Sequence, residues 1–191
     1  PVPRRATGLD LQPADISIVI PTRNEAQVLP RCVESAWAAG ASEIIVSDGG
    51  SDDATADVAV GLGVSKLIRS LPGRGVQLNA GAFHATGKCL LFLHADCRLH
   101  SDCLHQIASR PDAPWGAFGQ HIDSPRTIYR WIEKGNRLRI KGRSMAYGDQ
   151  AMFIHRDWFK RVGGFAEIEF LEEHRNLADL DRLYKESRRE L

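Results

Sequence analysis

Three acidic residues, Asp96, Asp48 and Glu25, each come shortly after a short apolar run of the sequence. Apolar runs of four or five residues are typical of strands buried on both faces. The carboxyl edge of a parallel sheet is where open α/β folds bind ligands. Hard cations such as Mg²⁺ and Mn²⁺ are held by one or two carboxylates together with phosphate oxygens. The pattern therefore predicts that Asp96 holds a divalent metal ion against a nucleotide diphosphate.

Two common phosphate-binding signatures are absent from the sequence. The first predicted strand is followed by Pro21-Thr22-Arg23-Asn24-Glu25 and not by Gly-x-Gly-x-x-Gly, which excludes the phosphate turn of dinucleotide folds. No Gly-x-x-x-x-Gly-Lys-Ser/Thr segment occurs, which excludes a P-loop. Gly73-Arg74-Gly75 is only a flexible turn that carries a cation. Asp48 has two interpretations: it could help to hold the metal, or it could accept hydrogen bonds from a base or ribose.

Apolar periodicity predicts alternating strands and helices, and hence a parallel, doubly wound sheet. Thr22 and Glu25 have capping-box spacing, so a helix is expected over 25–39, and Ser51 is expected to cap the next one. The remaining predicted helices are 76–85, 101–109, 157–162 and 172–189. The predicted strands are 16–20, 43–47, 66–68, 90–93, 115–120 and 150–155.

Composition limits the classes of function. The 191 residues are 43% hydrophobic and 26% charged, which is ordinary for one globular domain. A formal net charge of +1 gives no electrostatic argument for a nucleic-acid partner. The four cysteines form no Cys-x-x-Cys pair, so reduced thiols and a cytoplasmic location are expected. A zinc site is the less favoured interpretation of the group His94, Cys97, His100, Cys103 and His105, whose spacing fits no common finger.

Six motifs in order resemble the family 2 nucleotide-sugar glycosyltransferases. The chain looks most similar to a bacterial subgroup associated with arsenosugar-type biosynthesis. The resemblance implies a GT-A fold: α/β, with a doubly wound, mostly parallel sheet flanked by helices. A flexible tail (1–15) is expected before a single domain (16–191), which the resemblance divides into a nucleotide-sugar-binding half (16–98) and an acceptor-side half (99–191). The motifs are Ser17–Glu25, Val46–Asp53, Gly73–Gly81, Phe92–Asp96, Tyr147–Gln150 and Gly163–Phe165.

The resemblance implies a role for each matching residue of the donor site. Thr22, Glu25 and Asp48 would line the base and ribose, and Arg74 would help to hold the donor. His94-Ala95-Asp96 stands where the family has Asp-x-Asp. Asp96 is then the expected ligand of Mg²⁺ or Mn²⁺, and His94 is a second candidate ligand. The other donor-site residues implied by the motifs are Pro21, Asn24, Gly49, Asn79 and Ala95.

The resemblance also implies an inverting sugar transfer. Glu172-Glu173 aligns without gaps with the family's Glu-Asp pair, and Glu173 is the preferred general base. Asp179 is the alternative base, and Asp149 and Gln150 are expected to contact the acceptor. The deprotonated acceptor hydroxyl would attack the anomeric carbon from the face opposite the leaving diphosphate. UDP is the expected nucleotide, and the acceptor can be a saccharide, a lipid or a small molecule.

Two alternatives stay open. The first is a non-catalytic nucleotide or nucleotide-sugar binding module, since a histidine replaces the first acid of the metal motif and two segments compete for the base. The second concerns the basic segment 126–143, which contains Trp131. It is either a solvated helix face or a surface that contacts anionic lipid or a phosphate-bearing acceptor. Lipid contact would place the protein at the inner face of the membrane.

Overall fold

A mostly parallel sheet forms the centre of the part of the chain that the structure describes. The computed structural model describes residues 10–119, 121 and 151–165. Within them, six strands lie in the order β3-β2-β1-β4-β6-β5. Strands β1 to β4 pair in parallel, whereas β6 pairs antiparallel with both β4 and β5. The strands are β1 (Ile16–Thr22), β2 (Glu43–Asp48), β3 (Lys66–Arg69), β4 (Cys89–Phe92), β5 (Trp115–Ala117) and β6 (Met152–His155).

Helices cover both faces of this sheet, as the alternating pattern predicted. Successive strand residues point to opposite faces, so neighbours in β1 enter different cores. Ile18 packs in the core with Leu29 and Leu104, and Val19 packs in the opposite core with Leu78. The predicted doubly wound, mostly parallel α/β sheet is confirmed. A short 3-10 helix (Pro13–Asp15) precedes β1, and the helices are α1 (Leu29–Ala38), α2 (Thr55–Gly61), α3 (Arg74–His84), α4 (Cys103–Ala108) and α5 (Arg156–Arg161).

The predicted starts of the first two helices are wrong. Thr22 lies in β1 and does not cap α1, which begins only at Leu29. Ser51 does not cap α2, which begins at Thr55. Instead, the Ser51 hydroxyl donates a hydrogen bond to the carboxylate of Asp48. Short polar side chains that bond neighbouring backbone or side chains stabilise loops in competition with helix, and here the loop contacts prevail.

The other predicted elements are present with shifted ends. β5 ends at Ala117 rather than 120, and β6 begins at Met152 rather than 150. The basic segment 126–143 and the predicted helix over 172–189 lie outside the described residues. The described part contains no helix that has both the length and the apolar character needed to span a membrane.

Candidate functional site

The carboxyl ends of β1 and β2 lie side by side at one edge of the sheet. Thr22 is the register partner of Asp48 at the last pair of these two strands. β4 lies on the other side of β1, where the amide of Leu93 donates to the carbonyl of Val19 at 3.0 Å. The segments that follow β1, β2 and β4 therefore leave the sheet at the same edge. These segments carry most of the predicted donor-site residues.

Asp48 is buried, with its side chain fixed by the turn that follows it. Its carboxylate accepts hydrogen bonds from the backbone amide of Ser51 at 3.2 and 3.3 Å, and from the Ser51 hydroxyl. Its backbone carbonyl accepts the amide of Ser70 at 2.8 Å. Gly50 has φ 83°, a conformation that glycine adopts without strain. Asp48 is thus a preorganised acceptor at the end of β2.

The hydroxyl of Thr22 is buried beside Asp48, and its hydrogen-bonding capacity is unused. Thr22 is 1% exposed, and its Oγ1 has no hydrogen-bond partner within the described ranges. The neighbouring Ser47 hydroxyl is in the same situation. Buried polar atoms without a partner are uncommon in folded proteins. Pro21, half-buried in β1, pairs in register with Ser47.

Asn24 joins the segment after β1 to the segment after β2. Its amide donates to the hydroxyl of Ser51 at 2.9 Å, and its side-chain oxygen accepts the amide of Asp52 at 3.0 Å. The next amide, that of Glu25, donates to the hydroxyl of Thr55 at 2.8 Å. Asn24 adopts φ 58°, which asparagine tolerates better than most residues. Asn24, predicted to bind the donor, thus has a visible role in holding the two loops together.

The carboxylate of Glu25 lies near enough to those of Asp96 and Asp53 to be affected by their charges. Burial raises the pKa of Glu25, and the negative charges of Asp96 and Asp53 raise it further. Asp53 accepts hydrogen bonds from the hydroxyl and amide of Thr55, which lower the pKa of Asp53. Asp96 is exposed. The structure therefore brings together two residues predicted to lie at the site, Glu25 and Asp96, and adds a third acid.

The turn that carries Asp96 is attached to α1. The carbonyl of His94 accepts the amide of Cys97 at 3.0 Å and the thiol of Cys32 at 3.3 Å. Burial raises the pKa of the Cys32 thiol, with smaller contributions from Cys97 and Asp96, so this thiol remains a protonated donor. Ala95 is buried beneath the turn, and His94 is half-buried. These contacts fix the backbone from which the Asp96 side chain projects.

Two predicted donor-site residues, Arg74 and Asn79, lie on α3, and their surroundings differ from each other. Arg74 is the first residue of the helix, after Gly73 with φ 130°. Asn79 instead bonds the backbone of Phe165: its amide nitrogen donates to the carbonyl at 2.9 Å, and its oxygen accepts the amide at 2.8 Å. The sequence did not predict this contact, which joins residues 86 positions apart. Asn79 therefore connects α3 to the Gly163–Phe165 turn.

The donor set suits a hard cation that takes further ligands from a bound molecule. Carboxylate oxygens are the ligands that Mg²⁺ and Mn²⁺ prefer, and Mg²⁺ is usually held by one or two of them plus phosphate oxygens and water. Among the described residues, no three His, Cys, Asp or Glu side chains are grouped to enclose a metal ion by themselves. The histidines and cysteines between His94 and His105, considered above for zinc, therefore form no such group. None of the four cysteines forms a disulfide.

Several predicted site residues lie outside the described ranges. They are Glu172, Glu173 and Asp179, predicted as the base or its alternatives, and Asp149 and Gln150, predicted to contact the acceptor. Sequence reasoning also missed residues that the structure places at this edge: Ser51, Asp53 and Thr55. The polar run Asp48–Asp53 was a signal for the first two, because short polar side chains near a strand end commonly bond one another in turns.

Comparison with known proteins identifies the family. Residues 17–163 match the model described as glycosyl transferase family 2. The chain belongs to this family. Curated relatives include a PGL/p-HBAD biosynthesis glycosyltransferase of Mycobacterium bovis, 34% identical over 169 residues. That alignment covers 78% of this chain and 62% of the relative, so the chain spans less than two thirds of the length of this relative.

Solved structures show the same GT-A fold. A mannosyltransferase from Pyrobaculum calidifontis, solved with GDP-Man and Mn²⁺, is similar with a TM-score of 0.67 and 20% identity, covering 90% of this chain and 54% of that one. Glucosyl-3-phosphoglycerate synthase from Mycobacterium tuberculosis, solved with Mn²⁺, UDP and glucosyl-3-phosphoglycerate, has a TM-score of 0.66 and 19% identity. That match covers 88% of this chain and 66% of the synthase. At such identities the similarity concerns the fold.

Proposed function

We propose that this protein is a metal-dependent glycosyltransferase that moves a sugar from a nucleotide-diphosphate sugar to an acceptor hydroxyl. The observation that carries the proposal is the convergence of Glu25, Asp48 and Asp96 at the carboxyl edge of β1, β2 and β4. Burial raises the pKa of Glu25, and repulsion from the negative charges of Asp96 and Asp53 raises it further. A divalent cation between them and a diphosphate relieves that repulsion. Membership of glycosyl transferase family 2 supports the reaction class.

In this proposal each described residue has a definite task. Thr22, Glu25 and Asp48 line the base and ribose and form hydrogen bonds with them, on two loops that Asn24 joins. Asp96 holds the metal, with His94 as a second candidate ligand, and Arg74 neutralises phosphate charge. The metal, when bound, supplies positive charge against the diphosphate that leaves with the nucleotide. Gly49 and Ala95 leave space and shape the backbone around these groups.

We further propose that Glu173 is the general base and that transfer inverts the anomeric configuration. Glu172 and Asp179 are the alternative bases, and Asp149 and Gln150 orient the acceptor. A carboxylate that takes the proton of the acceptor hydroxyl makes the oxygen a better nucleophile. The halves of the domain then divide the work, with 16–98 binding the donor and 99–191 receiving the acceptor.

UDP is the proposed nucleotide and Mn²⁺ or Mg²⁺ the proposed metal. The two structural relatives above were solved with GDP-Man or UDP in the presence of Mn²⁺, so GDP is the competing choice. We propose a cytoplasmic protein, where 126–143 contacts the inner membrane face if the acceptor is a lipid. The arsenosugar-type subgroup stays a prediction, and the acceptor is an unidentified saccharide, lipid or small molecule.

A donor panel tests the proposal. The protein is incubated with UDP- and GDP-sugars and Mn²⁺, and release of the nucleoside diphosphate is measured with and without pooled saccharide acceptors. Turnover is expected with at least one donor, and Glu173→Gln should lower kcat by about 10²-fold or more. Glu172→Gln and Asp179→Asn are the matched variants that separate the candidate bases. Donor binding without turnover contradicts the enzyme and favours the binding module.

A further inference from the structure

Helix α3 packs closely against β1 and β2. Gly81, in the middle of the helix, faces the sheet, and a Cβ built there would overlap the side chain of Val19 and lie 3.6 Å from Cβ of Ser47. Glycine in a helix interior lowers helix stability relative to alanine. Here it allows the helix backbone to approach the strands. Gln77 lies one turn earlier on the same side of α3.

This close approach brings the Gln77 side chain onto the backbone of both strands. Its amide nitrogen donates to the carbonyl of Thr22 at 2.6 Å and to the carbonyl of Ser47 at 3.1 Å. Gln77 is 6% exposed. The Thr22 carbonyl also accepts the amide of Gly49 at 2.9 Å. One buried amide group therefore joins the last residue of β1 to the residue that precedes Asp48.

The absence of a side chain at Gly49 leaves room for the same amide group of Gln77. A Cβ at position 49 would lie 2.8 Å from Cδ of Gln77, 2.9 Å from its Nε2 and 3.0 Å from its Oε1. These distances are too short for ordinary contacts, so a side chain at position 49 would displace the amide. The close contact with Gln77 thus explains the glycine that follows Asp48 at this position, independently of any ligand.

We propose that Gln77 is a positioning residue that holds Thr22 and Asp48 at the spacing needed to receive the base and ribose of the donor. The carbonyl oxygens of Thr22 and Ser47 both carry a partial negative charge and accept from the same nitrogen, so they repel each other when no donor lies between them. An amide group supplies two hydrogens for them, whereas a carboxylate supplies none at neutral pH. Gln77 does not itself touch the nucleotide. This inference rests on the proposed nucleotide site. It adds Gln77, which has no role in the proposed function itself, to the residues that organise the site.

Gln77→Glu is the sharpest test, because it keeps the size of the side chain and removes both donors. At pH 7.5 the carboxylate would face two carbonyl oxygens, and we expect the Kd for UDP or GDP with Mn²⁺ to rise by about tenfold or more relative to the wild type. Protonation returns one O–H donor, so the variant-to-wild-type Kd ratio should fall as the pH is lowered toward 5.5. A role limited to packing would give a ratio that does not change with pH.

The matched control is Gln106→Glu, at an exposed position of α4. Its Kd ratio should stay near one at both pH values. Gly49→Ala provides a second variant, which displaces the amide without adding a charge and covers the case that Gln77→Glu fails to fold. Its effect on Kd should be smaller in a Gln77→Ala background than in the wild type, because the group it displaces is then absent.

Hydrogen exchange of the Gly49 amide gives a readout that needs no nucleotide. This amide donates to the Thr22 carbonyl, so its exchange should accelerate in Gln77→Glu at neutral pH and remain unchanged in Gln106→Glu. If the wild type binds neither nucleotide, the proposed function fails and exchange alone decides whether Gln77 holds the strand ends. A Gln77→Glu variant with wild-type Kd and wild-type Gly49 exchange would overturn the inference.

Discussion

The side chain of Glu25 reports on the residues around it through its titration. Burial raises its pKa first, and the charges of Asp96 and Asp53 add to this. Asp96→Asn removes one negative charge, which favours the ionised form of Glu25, so its pKa should fall toward the ordinary value without reaching it. Carboxyl-carbon NMR titration measures this shift. Asp57→Asn, at an exposed position of α2, is the control and should leave the titration unchanged. An unchanged pKa in Asp96→Asn would show that the two carboxylates are not neighbours.

Single residues differ in how well the sequence predicted them. Asp48 and Asp96 were predictable because each follows a buried strand, and strand ends meet at one edge of a parallel sheet. Asn24 was predicted at the site, but its bonds to Ser51 and Asp52 depend on a backbone conformation with positive φ. Gln77 was not predicted, because its contact depends on how closely Gly81 allows α3 to approach the sheet. That distance has no signal in a single sequence.

At the scale of elements, α3 holds the turn that follows α5. Gly163 and Gly164 both have φ 80°, and only Gly164 lies against Asn79, where an added Cβ would be 2.7 Å from Oδ1. Gly163→Ala should cost about 1 kcal/mol of unfolding free energy for its backbone strain alone. Gly164→Ala should cost about 1 to 2 kcal/mol more, because it also breaks the Asn79–Phe165 pair. Urea denaturation of the two variants measures the difference, and equal losses would contradict this role of Asn79.

Glu43 links β1, β2 and β3 near their amino-terminal ends, at the edge of the sheet opposite the candidate site. Its carboxylate accepts the hydroxyl of Ser17, the amide of Thr86 at 2.7 Å and the ammonium of Lys66 at 2.9 Å. Burial alone would raise the pKa of Glu43, but these hydrogen bonds outweigh it and lower the pKa to about 2. A lowered carboxyl pKa stabilises the fold above the unfolded value near 4.5, and this contribution is lost as the pH falls from there to about 2.

Glu43→Gln should therefore lower the unfolding free energy at pH 7 by about 2 to 3 kcal/mol. The difference from the wild type should shrink between pH 4.5 and pH 2, because the wild type loses the same contribution there. Chemical denaturation at pH 7 and pH 3 measures both values. Glu34→Gln, at an exposed position of α1, is the control and should change little at either pH. A constant difference across this range would contradict the network.

The type and order of the helices and strands were predicted better than the residues at which they begin and end. The strand and helix order through β4 followed from apolar periodicity. The helix starts did not, because Asn24, Ser51 and Thr55 use their side chains to join two loops rather than to cap helices. The antiparallel pairing of β6 with β4 was also beyond the sequence pattern, since the expected alternation with helices ends after Asp96 and periodicity does not specify strand direction.

For the molecule as a whole, motif order predicted the family more firmly than any single residue did. The match over residues 17–163 confirms that family, and the sheet confirms the GT-A fold. Substrate choice is a property of contacts with the donor and acceptor, and fold similarity at 19–20% identity does not transfer it. The mycobacterial relatives and the arsenosugar-type subgroup thus remain different starting points for a search for the acceptor.

In the proposed function, Asp96 couples a divalent metal to a nucleoside diphosphate. Calorimetric titration of UDP and GDP, with and without Mn²⁺, tests it in the wild type, Asp96→Asn and Asp102→Asn, the last an exposed position before α4. We expect Mn²⁺ to tighten nucleotide binding in the wild type and in Asp102→Asn. In Asp96→Asn, most of this gain should disappear, a loss of about tenfold or more. An Asp96→Asn variant that keeps the full Mn²⁺-dependent gain would contradict the proposed role of Asp96 as the metal ligand.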